Sequence, residues 1–324
     1  MKPEPGNPVT VIGAGMAGAA CAVALRAAGI PVRVLDQGPV PGGRLASPLL
    51  HGRRVDLGAG YFTVRDPSFA AVVRGWADRG LARPWTDTFT VLAADRPPHT
   101  STGPLRWAAP DGLASLVPEL LDGITVHTGT EVSELPAGQL VLAMPDPQAG
   151  RLIDIAEPVR CQATITVACG YPDRRWPAAD AWFVNDHPDL EFVADDGARR
   201  GDDAAVLVAH STAELAVRCL EQPEQAIGTV VAALDGLLGA GRPSWTHVHR
   251  WRWAKPIGRH DSTFGFVELP DGRQLGLAGD QCCPDGSPRV ESAWRSGTDL
   301  GVELASRLTS SRRGDPPPDP GRTR

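Results

Sequence analysis

The chain has 324 residues, 42% hydrophobic and 22% charged, with a formal net charge of −6 at pH 7. That length and composition support a large core divided between two domains. The acidic balance and the lack of a basic run argue against nucleic acid or an anionic membrane as partner, and no apolar run is long enough to span a bilayer. The N-terminal MKPEPGNP lacks the basic and apolar regions of a signal peptide. Cys21, Cys161, Cys169, Cys219, Cys282 and Cys283 follow neither CxxC nor zinc spacing. These features predict a cytoplasmic protein with reduced thiols and no metal site.

The first forty-odd residues carry the clearest pattern. Val9 to Ile12 is a short apolar run, Gly13, Gly15 and Gly18 follow at GxGxxG spacing, and Met16 to Ala28 is rich in alanine and free of breakers. This reads as strand, tight turn and helix, closed by Gly29. A second apolar run, Val32 to Leu35, ends on Asp36, 23 residues after Gly13. Gly13 permits the turn, Gly15 lets backbone N–H groups approach a pyrophosphate, and Gly18 permits close packing of helix on strand. A carboxylate at the position of Asp36 accepts the hydroxyls of an adenosine ribose and repels a 2′-phosphate, favouring FAD or NAD over NADP.

The continuation, with Pro41, Gly42, Gly43, Arg44 and Ser47, resembles the extended fingerprint of FAD-binding flavoproteins of the glutathione-reductase-like and amine-oxidase-like superfamily. A second glycine pair lets another loop approach the pyrophosphate, where a guanidinium can bond phosphate oxygens. The segment from Val55 to Val64, VDLGAGYFTV, is similar to the flavin-approaching stretch of the renalase-like branch, whose members typically read GAQYFT. This chain has Gly60 where that branch has glutamine. Asp66 and Pro67 then start a helix with Phe69, Val72, Val73 and Trp76 on its apolar face, ending at Gly80.

Farther along, Trp85 to Ala93 is expected to be extended and Arg96 to Pro104 to be a loop. Ile124–His127, 131–135 and 139–143 read as short strands. The stretch from Arg151 to Leu269 alternates strands (161–168, 181–184, 204–209) with a helix over 224–238. In it, SWTHVHRWRWAKP puts Trp245, His247, His249, Trp251 and Trp253 on one face, either a wall for a planar ligand or packed indoles. Lys255 is the one lysine beyond Lys2. Near the end, Ala278-Gly279-Asp280 followed by a helix from Arg289 or Val290 resembles the superfamily's C-terminal FAD motif. The tail TSSRRGDPPPDPGRTR has no apolar residue and is expected to be disordered.

The resemblance spans residues 8 to 308 and implies an α/β fold: a Rossmann-type, glutathione-reductase-like FAD-binding domain with an inserted mixed α+β substrate domain. The FAD-binding domain is expected over 1–75, 108–150 and 270–310, the substrate domain over 76–107 and 151–269, and the tail over 311–324. The cofactor contacts it implies are Gly13, Ala14, Gly15, Met16, Ala17, Gly18, Asp36, Gln37, Gly43, Arg44 and Leu45. Further contacts are Gly58, Ala59, Gly60, Tyr61, Val132, Ala143, Gly279, Asp280, Val290, Glu291 and Ala293. FAD would be held non-covalently, Asp280 meeting a ribityl hydroxyl and the final helix aimed at the pyrimidine edge of the ring. Catalytic candidates are limited to Lys255, Trp251 and Trp253. The implied activity is a renalase-like oxidase that takes hydride from a small molecule, such as the 2- or 6-dihydro isomers of NAD(P)H, and passes electrons to O2. An amine oxidase or desaturase, and a non-catalytic FAD-binding protein, remain as alternatives.

Overall fold

The computed structural model describes residues 8–313, and the chain divides into two compact units. The first comprises residues up to 41, 119–158 and 259 onward, the second 42–118 and 159–258.

The first unit is built on a six-stranded sheet ordered Gly265–Glu268, Gln274–Ala278, Leu140–Ala143, Val9–Ile12, Val32–Leu35 and Thr125–His127. All neighbours are parallel except the first pair. The central strand Val9–Ile12 is buried throughout, as a parallel strand covered on both faces must be. From it the chain crosses through the helix Met16–Ala27 to Val32–Leu35 on one side, while Leu140–Ala143 lies on the other. The carboxyl ends of Val9–Ile12 and Leu140–Ala143 therefore form a topological switch point, the place where open α/β sheets bind ligands. The long helix Val290–Arg313 packs on Met16–Ala27 through Gly297 and Gly301. A Cβ at Gly297 would fall 1.9 Å from the Ala17 carbonyl oxygen, and one at Gly301 would fall 2.7 Å from both Ala24 Cβ and the Cys21 carbonyl oxygen.

The second unit carries an eight-stranded mixed sheet ordered Trp245–Ile257, Arg160–Gly170, Val206–Ser211, Leu190–Asp195, Ala181–Val184, Arg83–Ala93, Arg96–Ala108 and Phe62–Thr63. One face, with Ile165, Val167, Leu207 and Ala209, packs on the helices Ala213–Arg218 and Ala226–Leu238 through Leu215, Val230 and Leu234. The opposite face presents Ala168, Val208, Ala194 and Phe192 to Val55, Leu57 and Tyr61 of the glycine-bearing segment.

Several expectations need amending. Residues 42–75 cluster with the second unit, because Phe62–Thr63 pairs with Trp107 and Arg106, and Phe62, Phe69 and Trp76 form one aromatic group with centroids 6.0–6.2 Å apart. Residues 259–269 belong with the first unit, since Gly265–Glu268 adds an antiparallel edge to its sheet. The predicted loop 96–104 is instead the outer strand of a long hairpin, Thr88 opposite Thr102 and Phe89 opposite Ser101. Its residues up to Leu105 are exposed, so no apolar alternation marks it, and an edge tolerates Pro97 and Pro98. No strand forms over 131–135: Val132 and Leu135 pack instead onto the cluster of Leu140, Leu142 and Met144. The strand Leu190–Asp195 and the helix Asp196–Arg200 were not anticipated at all. Residues 311–313 continue the last helix, and the remainder of the predicted tail lies outside the described residues.

Candidate functional site: a dinucleotide cradle and a braced glycine segment

At the switch point Gly13 has φ 110° and its N–H donates to Leu35 O at 2.8 Å. A Cβ here would lie 2.4 Å from the Ala143 carbonyl oxygen, and one at Gly18 only 1.8 Å from that of Gly13. These two glycines are demanded by packing. Gly15 is different: a Cβ added to it meets nothing within 4 Å, and its φ of −83° suits any residue. Sterics within the chain do not require glycine at this position, whereas a ligand lying against the turn would. The helix that starts here has no side-chain cap and no acid in its first turn, so no side chain of its own offsets its positive end. An open glycine turn beside a bare helix N-terminus fits a pyrophosphate.

Asp36 stands beside this turn. Its Oδ2 accepts from Ala14 N at 2.5 Å and its Oδ1 from Gly38 N at 2.7 Å. Two backbone donors fix the carboxylate, while each oxygen retains acceptor capacity for a ribose hydroxyl. Gln37 is exposed next to it. At the other edge, Gly279 N donates to Ser296 Oγ at 3.0 Å and Ser292 Oγ to Asp280 O at 3.2 Å, tying the Gly279-Asp280 turn to the first turns of the last helix, which holds Val290, Glu291 and Ala293. Gln281 folds back over Gly279 and donates to Met144 O at 3.0 Å and Asp146 Oδ1 at 2.9 Å. His260 Nε2 meets Asp146 Oδ2 at 2.6 Å, and this bond holds the imidazole pKa above its ordinary value. Cys282 and Cys283 are free buried thiols, the former pushed up to about 12 by burial. Neither is a ready thiolate.

Of the remaining predicted contacts, Val132 and Ala143 lie in the first unit and Gly43, Arg44, Leu45 and Gly58–Tyr61 in the second. Gly43–Leu45 forms a 3₁₀ turn, with Gly42 at φ 140° before it. Gly58 is pressed onto that turn: its Cβ would fall 1.9 Å from Arg44 O, which also accepts from Ala59 N at 2.9 Å. A Cβ at Gly60 would lie 2.8 Å from the Phe192 ring. Trp251 Nε1 donates to Leu57 O at 2.9 Å, and Trp245 stacks on His51 with centroids 4.5 Å apart. The alternation expected to continue through Trp253 is interrupted after Trp251, where the pairing shifts between Thr164 and Gln162. The indoles of Trp245 and Trp251 are thus committed to packing. Lys255 is half exposed and ion-paired with Glu191.

Sequence reading missed the group that holds these loops together. Asp56 Oδ1 accepts from Leu113 N at 2.8 Å and from the Ser47 hydroxyl, linking residues 47, 56 and 113. Beneath it, Arg199 donates to Asp56 O at 3.2 Å, to Gly60 O at 3.0 Å and to Asp196 Oδ1, while Arg200 donates to Pro110 O at 2.9 Å and approaches Asp56 Oδ2 at 3.3 Å. Arg53 closes the group on Asp196. The Asp196 carboxyl is held below the usual carboxylate range: the three guanidiniums overcome the burial that would raise it. The only local signal was the charged run ADDGARRG, which reads as a solvated loop.

A family model described as an NAD(P)-binding Rossmann-like domain matches residues 11–76. Hydroxyneurosporene desaturase of Rubrivivax gelatinosus is 41% identical over 66 residues, 19% of this chain, and the match spans 13% of that protein's length. Among solved structures, putrescine oxidase bound to putrescine superposes with a TM-score of 0.68 at 16% identity over 93% of this chain and 99% of that one. Cyclohexylamine oxidase from Brevibacterium oxydans IH-35A gives 0.71 at 15% identity over 94% and 100%. At such identities the likeness establishes the fold. The chain is an α/β protein with a Rossmann-like dinucleotide-binding domain, and its fold is that of putrescine oxidase and cyclohexylamine oxidase.

Proposed function

We propose that the chain is a FAD-dependent oxidoreductase that takes hydride from a small organic substrate and passes the electrons to O2. The observation that carries this reading is the cradle at Gly15 and Asp36: open space against the helix N-terminus, with a fixed carboxylate beside it. The carboxylate favours an unphosphorylated ribose, and the PGGRLAS continuation with the second motif at Gly279-Asp280 favours FAD over NAD.

When bound, FAD supplies a two-electron acceptor, so no protein nucleophile is required. In this reading the N–H groups at Gly15–Gly18 would bind the pyrophosphate, Asp36 would hold the adenosine ribose, and Arg44 and Asp280 would orient the remainder of the cofactor. Lys255, engaged by Glu191, acts structurally.

Two substrate classes are separable. The GRLAS, DLGAGYFTV and AGD to VESAW stretches support a renalase-like oxidase acting on 2- or 6-dihydro isomers of NAD(P)H. The likeness to putrescine oxidase and cyclohexylamine oxidase supports an amine. Anaerobic rapid mixing with each dihydronicotinamide isomer and with a panel of amines, followed at the flavin absorption band, decides: bleaching by one class selects it. An absence of bleaching by every compound would leave a flavoenzyme whose substrate lies outside both classes.

A further inference from the structure

Arg199, Arg200 and Arg106 are all buried in the second unit. The first two are neutralised by the carboxylates of Asp196 and Asp56. Arg106, 5% exposed, has no ion pair among the described residues. Its guanidinium makes one hydrogen bond there, from Nη1 to Asp87 O at 2.6 Å, and its Nε is buried without a partner. The other neighbours are rings: Cζ lies 3.8 Å from the centroid of Phe89, 5.4 Å from that of Tyr61 and 5.9 Å from that of Phe183. Attraction to ring faces is weaker than the hydration that a buried cation gives up, so a counter-charge from outside the chain is indicated.

Two further observations point the same way. The Trp85 indole lies 5.3 Å from the Phe89 ring between centroids, and its Nε1 is also buried without an acceptor. Guanidinium and indole only donate, so neither can satisfy the other. Gly103 stands on the exposed outer strand with no left-handed φ, yet a Cβ there would lie 3.2 Å from Arg106 Nη2. The missing side chain leaves that donor uncovered.

We propose that this ring cluster binds a planar organic anion, an aromatic carboxylate. Its carboxylate is received by the unused donors of Arg106, and its ring packs on Tyr61, Trp85 and Phe183, which stay partly exposed. A guanidinium matches the two oxygens of a carboxylate with parallel N–H bonds, whereas a protonated amine placed here would meet a like charge. All of these groups belong to the second unit. On the functional reading above this ligand is the substrate, and that step rests on that reading.

The test is calorimetric titration of the purified holoenzyme with benzoate, with its neutral counterpart benzamide and with benzylamine. The wild type should bind benzoate about tenfold or more tightly than benzamide, the gain of a charge-assisted pair over a neutral one, and benzylamine more weakly than either. Arg106→Gln removes the charge and should erase the preference for benzoate. Gly103→Val, at an exposed strand position that suits a β-branched residue, should keep the fold and weaken benzoate binding by covering Nη2. A wild type that binds benzoate no better than benzamide, or a preference that survives Arg106→Gln, overturns the inference. Where Arg106→Gln does not fold, undiminished benzoate binding by Gly103→Val overturns it instead. A wild type that binds benzoate but carries no FAD would sustain the inference and overturn only the functional reading.

Discussion

Asp36 Oδ2 accepts a hydrogen bond from Ala14 N at 2.5 Å, joining the end of the second strand to the turn that follows the first. With Gly38 N on its other oxygen, the carboxylate is oriented before any ligand arrives. Asp36→Asn keeps the shape but presents an NH2 group to one of these two donors, stranding an N–H. We expect a stability loss of about 1–3 kcal/mol and a weakening of FAD binding to apoprotein by about tenfold or more. Denaturant unfolding and reconstitution titration measure the two separately, and unchanged FAD affinity would remove Asp36 from the site.

Three glycines of the nucleotide unit separate packing from ligand binding. Gly18→Val or Gly297→Val drives a side chain into a backbone carbonyl oxygen less than 2 Å away, so each should unfold the unit or prevent its expression in soluble form. Gly15→Leu meets open space and keeps an ordinary φ, so its apoprotein should melt near the wild type. A Gly15→Leu apoprotein that melted as low as the Gly18 variant would contradict the distinction.

These three positions also show what a sequence discloses. The βαβ fingerprint is legible because its glycines and Asp36 stand at fixed spacing within one stretch of the chain, and the Asp66-Pro67 start is legible because a cap acts within one turn: Asp66 Oδ1 accepts from Ser68 N and Phe69 N at 2.8 and 2.9 Å. Arg199 was not legible. Its partners at Asp56 and Gly60 lie about 140 residues earlier in the chain, and nothing in ADDGARRG indicates that its charges fold inward. The hairpin strand Arg96–Ala108 was hidden for a related reason, since a two-sided polar edge has no periodicity of burial to detect.

His260 gives the nucleotide unit a pH dependence of known sign. Its bond to Asp146 raises the imidazole pKa in the folded state, with Asp146, Asp261 and Glu157 charges acting the same way against burial. A pKa raised on folding contributes stability that is fully present below the ordinary histidine value of 6.5 and lost as pH rises through the folded value. Melting temperatures of the wild type should fall relative to His260→Gln as pH increases from 6 through this window. Parallel profiles would show that the pair contributes nothing.

His210 should act in the opposite sense. Burial, with Lys255 and Arg199 charges, pushes its pKa down to about 3, so the ring stays neutral inside the second unit. Its contribution is present above 6.5 and is lost as the medium is acidified below that value, where the unfolded state takes up a proton that the folded state refuses. Histidine NMR at pH 5 should find this ring neutral; a protonated signal would contradict the burial.

The central claim is that FAD occupies the Gly15–Asp36 cradle, and the most direct measurement is the flavin content of the purified wild type and of Gly15→Leu. The account predicts a yellow wild type that releases about one FAD per chain on denaturation, as expected for non-covalent binding, and a folded, colourless variant. A colourless wild type, or stoichiometric FAD retained by Gly15→Leu, would contradict it.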